Sequence, residues 1–448
     1  MANLYKRYLS PLYPAKRFYF LLVGIIMVFI ISYGVPVLLI VGKIAFLFLL
    51  ALALVDYIVL FAGKNKINAS RQMAERFSNG DENKVFLAVS NKYPFAVYID
   101  LVDEVPFQFQ MRNFSLSFLL GGSVDKSIIY NIRPTQRGEY VFYNINLFVK
   151  SPLRLMTKRV TIEAKRSIKV FPSFFQLRRY ELKAHSSNLA EAGNKKMRKL
   201  GQSLEFEQIK EYVTGDDIRT INWKATARKG QMMVNNFTDE KSQHVYCFID
   251  KSRVMKMPFE GMTLLDYAIN ASVILSRVAL IKQDRAGLVT FAEKIGTFLP
   301  AERKAGQMNT ILTTLYDQQT NFGEGDMEKL YALVKTRISQ RGLVVLFTNF
   351  ESMSGLQRQL PYIRAIARIH LVLVVFFENT EIKTLTDTDV RDIEGLYIKT
   401  IAEKYIYEKK LIAKELQQHG ILTILTTPKQ LTVDSVNKYL ELKARQAI

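Results

Sequence analysis

The apolar positions change texture several times along the chain. Residues 18–33 form an uncharged apolar run, and residues 35–63 form a longer one interrupted only by Lys43 and Asp56. At about 1.5 Å rise per residue the second run is long enough to cross a ~30 Å hydrocarbon core, and the first reaches that length with its flanks. Gly34 and Pro36 break the run between them. Because open chain at membrane depth leaves backbone polar groups unsatisfied, the pattern predicts a transmembrane helical hairpin over residues 1–63 with a very short turn. Lys43 can snorkel to a span end, or, like Asp56, face a helix partner.

From 84 to 172 the pattern is short β-branched and aromatic runs separated by turn residues, among them Pro94, Gly121, Gly122 and Gly138. Such alternation predicts an antiparallel β-sandwich over 80–175, with its aromatic residues in the core. After a linker over 176–242 the texture shifts again, to wholly apolar strands separated by segments of helical spacing. Residues 245–250, 286–293, 343–349 and 370–378 read as strands; 263–282, 307–318 and 356–369 read as helices, the last broken at Pro361. Residues 404–420 give a helix, 421–427 a last strand and 430–446 a closing helix. Strands apolar throughout imply a parallel sheet covered on both faces, a Rossmann-like α/β domain over 243–448.

Charge changes this picture in one respect. The 448 residues carry 62 Lys and Arg against 41 Asp and Glu, a formal charge of +21, which favours an anionic partner. Lys6, Arg7, Lys16 and Arg17 precede the first span, and Lys64, Lys66 and Arg71 follow the second, so the positive-inside rule places both flanks in the cytoplasm. The expected location is the inner (cytoplasmic) membrane, with the bulk of the chain cytoplasmic. An anionic leaflet then accounts for much of the basicity without nucleic acid, and the five acidic residues from Glu205 to Asp217 interrupt the basic track such a ligand needs. A basic cluster at Lys195, Lys196, Arg198 and Lys199 lies in a polar stretch and could touch anionic lipid or an acidic partner.

The candidate chemistry lies in two places. In an open parallel sheet the functional crevice forms beyond the carboxyl ends of the strands. The first strand of the α/β domain ends at Asp250, followed by Lys251, Ser252, Arg253 and Val254. This resembles a von Willebrand factor A-type domain, whose metal-ion-dependent adhesion site has Asp-x-Ser-x-Ser there. The resemblance implies Asp250, Ser252 and Thr320 as ligands of a divalent ion such as Mg²⁺. The pattern is degenerate, because Val254 replaces the second serine and Asn349 stands where an aspartate is expected. Two lost oxygen ligands weaken such a site severely, so no bound cofactor is expected. Cys247, the single cysteine, excludes an intramolecular disulfide and reads as a buried thiol.

The second place is the signature region from Gly201 to Arg228. It carries Glu205, Phe206, Lys210, Tyr212, Gly215, Asp216, Asp217, Arg219, Ile221, Trp223, Lys224, Ala225, Ala227 and Arg228 in one ungapped window. Read from the residues, Gly215 permits a turn and Asp216 or Asp217 caps the helix or turn that follows. Arg219 and Arg228 offer planar forks for carboxylates, and Trp223 is an apolar anchor fastening the segment to the α/β sheet. No histidine or third carboxylate stands at ligand spacing beside Asp216 and Asp217, so the clamp reading is preferred to a catalytic pair. The window resembles the domain-of-unknown-function 58 family, whose wider order of two spans, β segment, signature and A-like domain also agrees. The resemblance implies a membrane-anchored, non-enzymatic interaction platform working with a MoxR-type AAA+ ATPase in the assembly or maturation of protein complexes. Other von Willebrand factor A-type proteins are further candidate partners. The rival expectation is a metal-dependent adhesion-type module or enzyme using Asp250 and Ser252.

Overall fold

The computed structural model describes residues 11–61, 66–111, 114–173, 205–214, 216, 218–238, 242–386 and 392–445. It has mixed α/β content and divides into two compact units, 1–171 and 172–448.

The first unit holds both apolar helices, Lys16–Ile31 and Val37–Phe61. Val37–Phe61 is long and apolar enough to cross a membrane, whereas Lys16–Ile31, at 16 residues, is short. A second helix passes the same test of length and composition, Leu264–Ile281, but 78% of its apolar window is buried inside the protein against 17% for Val37–Phe61. Gly42 lets the first two helices approach closely, since a Cβ there would lie 3.0 Å from the ring of Phe29.

Three sheets follow. One has five strands in the order Leu12–Pro14, Met156–Ile162, Ile145–Lys150, Val97–Asp103, Leu116–Leu120. The second pairs Ile67–Met73 with Asn83–Asn91 and that with Asp125–Ile132; the third sets Arg166–Phe171 between Arg76–Ser78 and Gly138–Phe142. Their inward residues share one core, because period-2 alternation puts Val85, Leu87 and Val89, and likewise Val97, Ile99 and Leu101, on a single face. The sheets begin earlier than the sequence indicates. Ile67–Met73 is a full edge strand, and Leu12–Pro14, ahead of the first helix, pairs with Met156–Lys158. Arg71, read from the sequence as a membrane-flanking charge, instead lies inside this unit. Its side chain is buried, bonded to the equally buried Asp103, and Tyr130 donates to the same carboxylate at 2.5 Å.

The second unit is built on a six-stranded sheet ordered Ile295–Glu302, Arg285–Phe291, His244–Asp250, Leu343–Phe347, Leu371–Phe377, Leu422–Thr426. All pairs are parallel except the first, so the expected parallel sheet carries one antiparallel edge strand, at a place the sequence reading passed over. Alternation within His244–Asp250 sends Val245, Cys247 and Ile249 to one core and Tyr246 and Phe248 to the other. Helices Leu264–Ile281, Gln307–Tyr316 and Leu431–Ala444 cover the first face; Met327–Arg337, Met353–Ile369 and Ile393–Gln418 cover the second. A capping box starts the central helix: the Asp266 N–H donates to Thr263 Oγ1 at 3.2 Å, and Thr263 N–H donates to the Asp266 carboxylate. The helix predicted to break at Pro361 runs through it, continuous over Met353–Ile369 with Leu356, Leu360, Ile363 and Ile366 buried. That buried stripe outweighs one missing N–H donor.

Candidate functional site

Strand His244–Asp250 has Arg285–Phe291 on one side and Leu343–Phe347 on the other, and the order of connection reverses across it. This is the topological switch point, where an open α/β sheet leaves a crevice beyond its carboxyl ends. Asp250, the last residue of the strand, is 1% exposed. Both its oxygens are engaged by the protein: Oδ1 accepts from the Ser252 N–H at 2.8 Å and Oδ2 from the Thr348 hydroxyl at 2.7 Å. Burial pushes its pKa up, against the lowering effect of the Ser252 and Thr348 bonds. Ser252 is itself buried. The segment carrying Thr320 is tied to the same turn by Asn321 N–H donating to Lys251 O at 2.8 Å, and Arg253 N–H donates to Gly323 O at 3.0 Å. Thr320 is half-buried, and among the described residues no hydrogen bond joins it to Asp250 or Ser252.

Val254 packs against the core, so its position offers no ligand. Asn349 is committed elsewhere. Its Oδ1 accepts from Lys409 Nζ at 2.5 Å, and the same ammonium donates to Phe350 O. Lys409 is 3% exposed, with the rings of Tyr405 and Phe376 at 5.4 and 5.9 Å. A tethered cation therefore uses the acceptor that Asn349 would give a divalent ion. Among the described residues no cluster of three or more His, Cys, Asp or Glu is placed to hold a metal. The donor set does not fit a divalent cation, since the Asp250 carboxylate is committed to two protein donors and Asn349 to an ammonium. Outward of Lys409 the crevice rim alternates in sign: Arg253 meets Glu324 at 3.3 Å and Glu351 at 3.9 Å, and Arg358 meets Glu324 at 3.4 Å. These pairs are more than half exposed and add little stability. Cys247 is buried, and burial pushes its thiol up to about 12, so it supplies no thiolate at neutral pH.

Lys409 was missed by the sequence reading, yet a signal was there. It shares a helical stripe with the buried Ala402, Ile412 and Leu416, where an apolar residue is expected. Thr348 was also missed; it follows an apolar strand, where a hydroxyl carries no distinguishing pattern.

The signature region forms an antiparallel pair, Glu205–Glu211 with Met233–Thr238, joined through the short helix Trp223–Lys229. The cap differs from expectation. Asn222, not an aspartate, is the N-cap, its Oδ1 accepting from Ala225 N–H at 3.0 Å, and Gly230 closes the helix in the left-handed region at φ 70°. Asp216 instead secures the preceding turn: Oδ2 accepts from Val213 N–H at 3.1 Å and Oδ1 from Lys210 Nζ at 2.6 Å. Tyr212 continues the pairing through its N–H to Met232 O at 2.8 Å. The burial expected of Trp223 as an apolar anchor is not seen, for the residue is 70% exposed, and Ile218 at 69% and Val213 at 64%, earlier in the signature, are likewise exposed. Arg219, Lys224 and Arg228 are exposed as well. Gly215, Asp217 and the side chains of Glu205 and Phe206 lie outside the described residues, as does the basic cluster at 195–199.

Fold and site thus define an α/β protein with a switch-point crevice filled by its own side chains and a signature face turned to solvent. Residues 208–404 match the family model described as Protein of unknown function DUF58. The uncharacterized protein YeaD of Bacillus subtilis (strain 168) is 24% identical over 235 residues, which is 48% of this chain and 56% of YeaD, so the match spans little over half of that relative. Among solved structures, the CARDB domain of PF1109 from Pyrococcus furiosus is similar at 13% identity, covering 23% of this chain and 94% of that one with a TM-score of 0.17. The ASH/PapD-like domain of human CEP192 is similar at 13% identity, covering 25% and 88% with a TM-score of 0.19.

Proposed function

We propose that the chain is a membrane-anchored, non-enzymatic interaction platform that presents its signature face to a protein partner. In this reading the first unit is a transmembrane hairpin carrying a β-sandwich at the cytoplasmic face of the inner membrane. The second is a von Willebrand factor A-like domain without a working metal site. The observation that carries the reading is the exposure of Trp223, Ile218 and Val213 beside Lys224 and Arg228. A large aromatic left in water next to basic groups is the composition of a binding hot spot. The partner is drawn from the family resemblance, a MoxR-type AAA+ ATPase acting in assembly or maturation of protein complexes.

Copurification tests it. Full chain, tagged and gently solubilised, is expected to retain an AAA+ ATPase in at least one nucleotide state. Trp223→Ala should lower that retention about tenfold with no change in melting temperature, as truncation of a hot-spot aromatic does. Absence of any ATPase under ATP, ADP or nucleotide-free conditions would remove the proposal's main support.

The alternative, a metal-dependent adhesion-type module or enzyme using Asp250 and Ser252, rests on the position of Asp250 at the switch point. Calorimetric titration with Mg²⁺ and Mn²⁺ separates the two. No saturable heat is expected, because a metal would have to displace the Ser252 and Thr348 donors from a buried carboxylate. Saturable binding abolished by Asp250→Ala reverses the preference.

A further inference from the structure

Among the described residues, the apolar helices and the sheets of the first unit are joined by direct hydrogen bonds. Strand Leu12–Pro14 runs straight into helix Lys16–Ile31, and Ala15 N–H donates to Leu155 O at 2.9 Å. At the far end of the second helix, Leu60 O accepts from the Tyr93 hydroxyl at 2.5 Å and Lys158 Nζ at 3.0 Å. Between them Asp56, fully buried, accepts from the Ser151 hydroxyl and from the N–H groups of Leu155 and Met156 at 3.0 and 2.8 Å. The level of the 151–156 turn relative to both helices is thereby fixed. Apolar side chains stay exposed along the helices up to that level, including Phe20 and Ile58. With the helices in a bilayer, the turn stands in the headgroup layer.

Three cations meet there. Tyr98 and Asp100, two apart on one strand, share a face. The Arg154 guanidinium lies 3.2 Å from the centre of the Tyr98 ring, and Lys150 Nζ is 2.5 Å from Asp100. Lys16, the first residue of its helix, acts electrostatically on the same carboxylate, which Lys150 also holds below its ordinary range. Asp100 thus faces two of the cations, Lys150 and Lys16, while Arg154 lies on the neighbouring Tyr98 ring. Arg154 is placed deliberately: its backbone sits at φ 56°, uncommon for a residue with a side chain, and its N–H reaches back to Ser151 O at 3.2 Å. Among the described residues its Nε is buried without an acceptor. Leu153, 45% exposed, stands at the tip of the same turn.

We propose that Lys16, Lys150 and Arg154 form a site for the phosphate headgroup of an anionic phospholipid in the leaflet the helices enter. The inference rests on the membrane-anchored reading. It adds to that reading a lipid class and the residues that select it: cations at an anionic leaflet, preorganised by the Asp56–Ser151 contact.

The test is native mass spectrometry of the full chain in non-ionic detergent, with phosphatidylglycerol or phosphatidylcholine added. Phosphatidylglycerol is expected to be retained preferentially, and Lys16→Gln and Arg154→Gln should each lower its retention about fivefold, leaving phosphatidylcholine unaffected. Lys224→Gln, on the signature face, should change nothing. Excess inorganic phosphate should not displace the lipid. Lys150→Gln serves if a variant at 16 or 154 fails to fold. Equal retention of the two lipids, unchanged retention in folded variants, or displacement by inorganic phosphate overturns the proposal. A chain released from membranes by alkaline carbonate refutes the anchor itself, whereas a retained chain without lipid preference refutes only this site.

Discussion

Asp56→Ala is expected to destabilise the first unit by about 3–5 kcal/mol, the range for removing one partner of a buried charged network. The carboxylate is fully buried and accepts from Ser151 Oγ and from the N–H groups of Leu155 and Met156. Truncation leaves two backbone donors and a hydroxyl facing an apolar helix, and each unsatisfied group costs about 1–3 kcal/mol. Asp56→Asn should do less harm, because the amide oxygen still accepts. Lys43 is the control: it lies in the same apolar run but is exposed, so Lys43→Ala should leave stability within about 0.5 kcal/mol. Thermal unfolding of the full chain in detergent reads all three, and at roughly 2–4 °C per kcal/mol the Asp56→Ala shift should reach about 10 °C. An Asp56→Ala chain melting with the unmodified protein would show that the helix and the 151–156 turn are not coupled through this group.

That pair of charges shows what was legible in the sequence. Both appear as single charges in an apolar run, and only the fold separates an exposed lysine from a buried aspartate whose hydrogen-bond donors lie about a hundred residues away. The alternation of apolar strands and helical segments over 243–448 was readable because each element's period is local. The antiparallel strand Ile295–Glu302 was not, since its half-exposed residues lack the continuous apolar run of a central strand. Pro361 misled for a related reason: a local breaker signal competes with a buried stripe that becomes evident only once a sheet is present to bury it. At the signature, a turn and a capped element were readable from Gly and Asp chemistry, but the capping role of Asn222 and the environment of Trp223 were not. A tryptophan in a short motif is equally consistent with an anchor and a binding surface until its exposure is known.

Lys409 supplies the second large effect, a rise of stability with pH across the neutral to alkaline range. Its amine is 3% exposed and burial pushes its pKa down to about 7, with Glu351 opposing the shift. In the unfolded chain a lysine titrates near ~10.4. Below pH 7 both states carry the proton and the group contributes no slope. Between the two pKa values the unfolded chain binds one more proton than the folded one, so stability increases by up to about 1.4 kcal/mol per pH unit, on the order of 4 kcal/mol in all. The burial penalty is therefore fully present in acid and relieved as pH rises through 7. Lys409→Met removes the titrating group while filling similar volume, and its stability should be flat over the same range relative to the unmodified chain. Taking the difference between the two chains at each pH cancels the tyrosines, including Tyr93, whose raised pKa of about 12 destabilises the fold above pH 10. Denaturant unfolding from pH 6 to 9.5 measures that difference, and equal slopes would show that Lys409 is not the buried cation of the crevice. A sharper variant is Asn349→Asp, which sets a carboxylate against Nζ. The pair should keep the ammonium charged to higher pH and shift the rise in stability upward, converting a neutral acceptor for a tethered cation into an ion pair at the same place.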